Sequence, residues 1–490
     1  MPTNLPNIVL VMTDQHRFDC LGVTGNPDVR TPNLDSLAER GVLFDNCFCT
    51  APLCTPARYS LLTGLYPHQH LGWGNRSTVP PGLPTFPKQL RARGYKTAAV
   101  GKMHLTPARM DVGFDRMHLA EQDGPGRFED DYHEYLRNLD LLDTLDIMDQ
   151  RAEYRVKAPE EYWRSFGAME SDLAEEHHST AWIGRKAIEE LDRWEGDGNF
   201  LMVSFVKPHH PFDPPFPWSE KYDRERLTLL PGWAEEGLER DFAMQRGYFD
   251  NRTLTEPALQ NAMAHYYGTI SHVDHYIGLL VQRLAERGYY ENTMIVFTSD
   301  HGDYLGYHHL LLKQNYMYDP VVKVPLIIKF PEAHRAGSRH SELVSHIDIG
   351  ETVLRACGVS ETPDSQGLDL SFADAGREFI FAEEGRGRQY MIRTLTRKLL
   401  LTRNRSQSVF LDLESDAHEW NNLFADPDRK DEIEGLLGQL METVLFAATT
   451  PEYQDVHGVP VTPRIGKKTF FSPAEMEDWM RQRMNKIGKN

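Results

Sequence analysis

Five short runs of nearly unbroken apolar residues punctuate the chain: "NIVLVMTD" (7–14), "KTAAVGK" (96–102), "FLMVSFVKP" (200–208), "NTMIVFTSD" (292–300) and "VPLIIKF" (324–330). Continuous rather than alternating hydrophobicity predicts strands covered on both faces. Between them the pattern changes to a helical period. "TPNLDSLAERGV" opens with Thr31 as N-cap and Pro32 at the first helical position, and stops at Gly41. "FPKQLRARGY", "SDLAEEHHSTAWIGRKAIEELDRWE" and a long pattern from Pro257 to Gly288 precede the second, third and fourth strands. This alternation predicts an α/β fold, a mostly parallel central sheet flanked by helices. Residues 115–170 and 208–252 have no clean period and read as insertions over the sheet. From residue 376 the pattern turns to short antiparallel strands, "REFIFAEEG", "QYMIRTLTRKLLLTR" and "QSVFLDLE", then to the helical "RKDEIEGLLGQLMETVLFA". The expected organisation is a main α/β domain over 1–375 and a smaller C-terminal α+β subdomain over 376–490, ending in a basic, Met-bearing tail.

The same pattern places chemistry, because ligands of open α/β sheets bind beyond the carboxyl ends of the strands. The first strand ends in Asp14 and Gln15, the second in Lys102 and His104, the third in Pro208, His209 and His210, and the fourth in Asp300 and His301. Taken singly, an Asp at a strand end is usually a cap or turn residue, and a lone His is usually just hydrogen-bonded. The coincidence at four strand ends outweighs that reading. Asp14, Gln15, Asp300 and His301 suit a hard divalent cation better than structural zinc, and Lys102 and Lys313 add fixed positive charge for an anion. Cys54 opens the helical stretch "CTPARYSLLTG". Backbone N–H groups at a helix start favour negative charge there, and Arg58, one turn on, points back to the same spot.

Composition narrows the partners. A formal charge of -19 repels polyanions, so nucleic acid is excluded as a general partner and an anionic substrate needs a locally basic pocket. The five cysteines, Cys20, Cys47, Cys49, Cys54 and Cys357, are odd in number and form no C-x-x-C pair, which predicts a reducing compartment. No Lys or Arg precedes the first apolar run, and no apolar stretch is long enough to span a bilayer. The expectation is no signal peptide, no membrane partner and a cytoplasmic location.

"CTPARYSLLTG" resembles the type I sulfatase signature, Cys-x-Pro-x-Arg followed by Leu-Thr-Gly. "NIVLVMTDQ" is similar to that family's opening metal strand, "GKMH" to its Lys-x-His pair, and "VKPHHPF" to its Lys-Pro-His segment. "TSDHGDYLGYHHLLLK" is similar to the second metal strand with its trailing Lys, and "FLDLESDAHEWNNLFADP" to the C-terminal segment. The resemblance spans nearly the whole chain and points to the formylglycine-dependent sulfatases of the alkaline phosphatase superfamily, near the choline sulfatase and phosphonate monoester hydrolase branch. It implies an alkaline-phosphatase-like fold and oxidation of Cys54 to formylglycine (3-oxoalanine) by a formylglycine-generating maturation enzyme. The hydrated aldehyde then offers one hydroxyl to attack sulfur and a second whose deprotonation expels the covalent sulfate.

The resemblance also implies roles. Asp14, Gln15, Asp300 and His301 hold one divalent cation together with residue 54, Ca²⁺ first, with Mn²⁺ or Mg²⁺ as alternatives. Arg58 and His104 hold and deprotonate the hydrate, while Lys102 and Lys313 neutralise the sulfate oxygens. His209 protonates the leaving oxygen, a task that Lys102 or Lys313 could share. His210 and His308 are expected to line the pocket, and Asn75 is either a substrate contact or a turn residue. Gln15 stands where many sulfatases carry a second Asp, as it does in phosphonate monoester hydrolases and some relatives of choline sulfatase; "GKMH" argues against the phosphonate reading, because those hydrolases carry Tyr and Thr there. The expected activity is arylsulfatase-like hydrolysis of small-molecule sulfate monoesters, with a phosphonate monoester or phosphate diester hydrolase as the alternative. Trp73, Trp163, Trp218 and Trp233 read either as an aromatic substrate face or as packing. The tail after residue 451 reads either as a dock for a second copy in a homo-oligomer or as folded back.

Overall fold

The computed structural model describes residues 5–80, 82–313, 316–359, 365–445 and 472–487. Its central sheet has eight strands: β1 (Asn7–Thr13), β2 (Val42–Phe48), β3 (Lys96–Gly101), β4 (Arg116–Leu119), β5 (Asn199–Ser204), β6 (Thr293–Ser299), β7 (Lys323–Lys329) and β8 (Ser338–Ser345). They lie in the order β4-β3-β5-β1-β6-β7-β2-β8. β7 runs antiparallel to both its neighbours, and all other pairs are parallel.

The unbroken apolar runs have the expected cause. In β1, Ile8, Leu10 and Met12 point into one buried cluster while Val9 and Val11 point into another across the sheet. β6 divides in the same way, Met294 and Val296 to one side and Ile295 and Phe297 to the other, as a two-residue side-chain period requires. Helices cover each face. α1 (Pro32–Glu39) brings Leu34 and Leu37 to the second cluster, whereas α2 (Cys54–Thr63) and α3 (Phe86–Ala92) bring Leu61, Phe86 and Leu90 to the first. α4 (Ser179–Asp192) and the long α5 (Glu256–Glu286) add Ile183, Ala187, Ile277 and Leu280 to the second.

Pro32 does open α1, but Thr31 does not cap it with its side chain. Its hydroxyl donates to Asp35 Oδ1 at 3.0 Å and accepts from the Gly22 N–H at 2.9 Å, so it pins the preceding turn instead. The segment 115–170 is more than a cover, since β4 pairs with β3 and forms one edge of the sheet.

A second, antiparallel sheet follows, β9 (Ile380–Glu384), β10 (Gln389–Arg393), β11 (Arg397–Thr402) and β12 (Val409–Asp412), in the order β12-β11-β10-β9. α6 (Lys430–Leu445) packs Ile433, Leu436 and Leu440 against Phe381, Ile392, Leu399 and Phe410. α7 (Pro473–Ile487) buries Met476 and Met480 against Ile147 of the same chain. Residues 446–471, which include most of the expected docking tail, lie outside the described residues. No described helix is long and apolar enough to cross a membrane.

Candidate active site

The strands β3, β5, β1 and β6 lie side by side, and the register brings their carboxyl ends level: Gly101 pairs with Ser204, Met12 with Ser204, and Thr13 with Ser299. Residues just past these ends must therefore meet. Gly101 makes the exit from β3, with φ +100° and so little room that a Cβ would lie 1.9 Å from the Ser204 carbonyl oxygen. Only glycine fits that turn, and it delivers Lys102 into the site.

Asp14 and Asp300 sit on adjacent strand ends, both fully buried, and Arg58 of α2 bridges them. Its Nη2 donates to Asp14 Oδ2 at 3.1 Å and its Nε to Asp300 Oδ2 at 2.9 Å, while Nη1 donates to Ser204 Oγ at 2.8 Å. Lys102 Nζ lies 2.7 Å from Asp14 Oδ2. The Cys54 sulfur at the start of α2 is 3.3 Å from His301 Nε2, 3.3 Å from Lys313 Nζ and 3.6 Å from Asp14 Oδ1. Lys313 Nζ lies 3.0 Å from His301 Nε2 and 3.1 Å from His209 Nε2. The Gln15 N–H donates to Asp300 Oδ1, and its carboxamide nitrogen donates to Asp303 Oδ2 at 2.6 Å, which leaves the carboxamide oxygen free among the described residues. Asn75 Oδ1 accepts from the Thr55 N–H at 3.3 Å, and Asn75 also lines the cavity beside Cys54.

The donor atoms of Asp14, Cys54, Asp300 and His301 all lie within 4.8 Å of one another in a buried cluster. Carboxylates and imidazole with a nearby carboxamide oxygen suit a hard divalent cation, and the single soft donor is the Cys54 thiol. Both ring nitrogens of His104 are buried without a hydrogen-bond partner. Such atoms are costly unless something completes them, and the His104 ring lies close enough to Cys54 to influence its ionisation. The residues present thus fit a metal ion and an additional oxygen group at position 54.

The electrostatics set Cys54 apart. Burial pushes the thiols of Cys20, Cys47, Cys49 and Cys357 up, Cys357 to about 12. Burial acts the same way on Cys54, but Lys313, Lys102 and His301 outweigh it and hold the thiol well below its usual range. Asp14 is also buried, which would raise its carboxyl; Lys102, His209 and Arg58 hold it far below the ordinary carboxylate range. Burial and the Asp14 charge raise Asp300. Burial, Lys313 and Lys102 bring His209 down to about 4, so at neutral pH its ring carries no charge and accepts from Lys313. The site is a basic pocket in an acidic protein, as an anionic substrate requires.

Several contributors were not expected. Glu121 accepts from the Met103 and His104 N–H groups at 2.9 and 3.0 Å and so fixes the loop after β3. Asp303 orients Gln15. The "SDHGD" spacing is the only sequence signal for Asp303, and Glu121 has none. His210 lines the cavity and is bonded to Asp149 at 2.8 Å. His308 does not line it: its ring bonds Asp241 and the His418 carbonyl and stacks on Trp420. None of Trp73, Trp163, Trp218 and Trp233 lines the cavity either. Trp218 stacks on His272, Trp233 on His309, and Trp163 packs edge-on against Tyr162.

The sequence model of the family described as Sulfatase matches residues 6–359, and one described as N-sulphoglucosamine sulphohydrolase, C-terminal, matches residues 306–445. An arylsulfatase of Clostridium perfringens is 32% identical over 474 residues, 88% of this chain and 92% of that one. An N-acetylglucosamine-6-O-sulfatase of Bacteroides thetaiotaomicron is 28% identical over 90% of this chain and 86% of its own length. Among solved structures, a phosphonate monoester hydrolase of Agrobacterium radiobacter superposes with a TM-score of 0.74 at 24% identity, covering 94% of this chain and all of that one; it shows the shared fold. The chain belongs to the sulfatase family, the formylglycine-dependent hydrolases of sulfate esters within the alkaline phosphatase superfamily.

Proposed function

We propose that Cys54, once converted to formylglycine by a maturation enzyme, is the nucleophile of a sulfate monoester hydrolase whose residues divide the work as follows. The observation that carries this reading is the convergence of Lys313, His301 and Asp14 on the Cys54 sulfur within 3.6 Å. Asp14, Gln15, Asp300, His301 and residue 54 are the ligands of a divalent cation, Ca²⁺ first on its preference for oxygen donors. When bound, that cation supplies Lewis-acid polarisation of the sulfate oxygens. The formylglycine hydrate would supply an oxygen nucleophile and a second hydroxyl.

The chain's own groups do the rest. Arg58 keeps Asp14 and Asp300 apart in charge and fixed in place. Lys102 and Lys313 flank residue 54 and neutralise the sulfate oxygens. His104, with its unpartnered ring nitrogens, takes the proton from the side chain of residue 54. Lys313 and His209, 3.1 Å apart, form the pair that delivers a proton to the leaving oxygen. On this reading the catalytic domain spans 1–375 and the C-terminal subdomain 376–490. Free, buried thiols fit a reducing, cytoplasmic setting, and pairing of copies through the tail predicts that the full chain sediments as an oligomer and a chain ending at residue 445 as a monomer.

Two measurements on one preparation made with the maturation enzyme test the assignment. Mass spectrometry of the peptide spanning residues 51–58 is expected to show the aldehyde at position 54; full activity with an unmodified Cys54 overturns the mechanism. The ratio of kcat/KM for an aryl sulfate over an aryl phosphonate is expected to exceed one, and a large excess for the phosphonate selects the alternative substrate class, to which Gln15 would then belong.

A further inference from the structure

The cavity beside Cys54 continues past the catalytic cluster to a rim formed by Asn75, Asp123, Gln150, Arg246 and Tyr248. Arg246 stands on a segment fastened on both sides. Gln245 donates to the Phe249 carbonyl, and the Tyr248 hydroxyl donates to Asp149 at 2.8 Å and lies 3.1 Å from His210 Nδ1. The Arg155 guanidinium covers the Tyr248 ring at 3.6 Å from its centroid. The backbone around Arg246 is thus held in place; its side chain is exposed at the rim, and its guanidinium has no hydrogen bond or ion pair among the described residues. The buried acid that feels its charge, Glu384, is already paired with Arg388.

An unpaired guanidinium on a cavity wall is an unused anion receptor: its planar fork matches a carboxylate or a sulfate with two parallel hydrogen bonds. The ester sulfate itself is accounted for by Lys102 and Lys313, so a second anionic group is needed to engage Arg246. The other rim groups are polar and partly free. Gln150 spends its carboxamide nitrogen on Asp149 and the His210 carbonyl and keeps its oxygen. Asp123 accepts a hydrogen bond from its neighbour Gly124 and keeps its second oxygen. Asn75 uses its oxygen on Thr55 and keeps its nitrogen. These are donors and acceptors for hydroxyl groups, and the rim holds one aromatic ring, that of Tyr248.

We propose that Arg246 is a specificity-determining residue that binds an anionic group, a carboxylate or a second sulfate, on the alcohol portion of the sulfate ester. The substrate class is then a sulfated polyhydroxylated acid or an oligosulfated polyol rather than a neutral phenol. The proposal rests on the sulfate-ester reading above.

The test uses matched pairs: the three carboxyphenyl sulfates against their methyl esters, and benzenediol disulfates against the corresponding monosulfates. Each pair differs mainly by one negative charge, and the two series separate a carboxylate from a sulfate as the preferred group. The full, matured chain is expected to favour the charged member of at least one series by roughly tenfold or more in kcat/KM, the scale of a hydrogen bond to a charged group. Arg246→Gln is expected to bring that ratio close to one through KM, and Arg246→Lys to restore part of it. A ratio near one in the unaltered protein, or an Arg246→Gln variant that loses the same factor on both members, overturns the proposal. Turnover of an aryl phosphonate with none of any sulfate overturns the underlying function instead.

Discussion

Arg58 shows what a single side chain must do here. It stands between two carboxylates, Asp14 and Asp300, at 3.1 and 2.9 Å, with every partner buried. Truncation would leave two buried acids facing each other with Lys102 as the main remaining cation. Removing one partner of a buried ion pair costs about 3–5 kcal/mol, so Arg58→Ala is expected to lose stability on that scale, read as a lowered urea midpoint in the metal-free protein. A loss under 1 kcal/mol would show that Asp14 and Asp300 do not depend on it. At this scale the sequence was readable where residue type limits the chemistry: Cys54 before Pro56 and Arg58, and acids, imidazoles and lysines at strand ends. It was not readable where common residues act by position. Glu121 looks like any surface acid, and Tyr248, Gln150 and Arg246 sit in loops whose path no local period encodes.

At the scale of elements, the strands buried on both faces announced themselves, and those with other surroundings did not. β2 carries Asp45 and Asn46 in its middle because its pairing shifts register there, between Phe44 and Cys47 against β7. β8 is an edge strand, with only His340 buried among its first five residues, so its polar residues hide it from a search for apolar runs. Helix contacts were equally silent, and Gly184 in α4 is the sharpest case. A Cβ there would lie 2.1 Å from Cδ1 and 2.8 Å from Cβ of Tyr276 on α5, so the residue is glycine to let two helices approach. Alanine would gain about 1 kcal/mol in helix propensity but force an overlap that costs about 1–3 kcal/mol or more in a packed interior. Gly184→Ala is therefore expected to destabilise on balance; an unchanged or raised melting temperature would mean that Tyr276 moves aside freely.

On the scale of the whole molecule, the second sheet holds the catalytic loop rather than merely following it. Lys398 of β11, fully buried, reaches Asp319 Oδ1 at 2.8 Å and Glu419 Oε1 at 2.7 Å. Glu419 in turn accepts from the Tyr307 hydroxyl at 3.0 Å and from the Asp319 N–H at 2.8 Å. Tyr307 and Asp319 bracket the segment that carries Lys313, so the C-terminal sheet grips both sides of that loop. In the sequence, nothing marks Lys398 as a fastener. Burial opposes ionisation of Asp319, but Arg393 and Lys398 hold its carboxyl well below the usual carboxylate range. A depressed folded-state pKa contributes stability that is present above the unfolded value of 3.8 and is lost only as pH falls through the folded one. Asp319 therefore stays ionised through the mildly acidic range. In Lys398→Met, Asp319 keeps Arg393, while Glu419 is left with neutral donors, a buried charge that is expected to cost about 3–5 kcal/mol at pH 7.5. Urea unfolding of both proteins at pH 7.5 measures it, and a deficit well short of that range would mean that Lys398 acts by packing its methylenes and not by its charge.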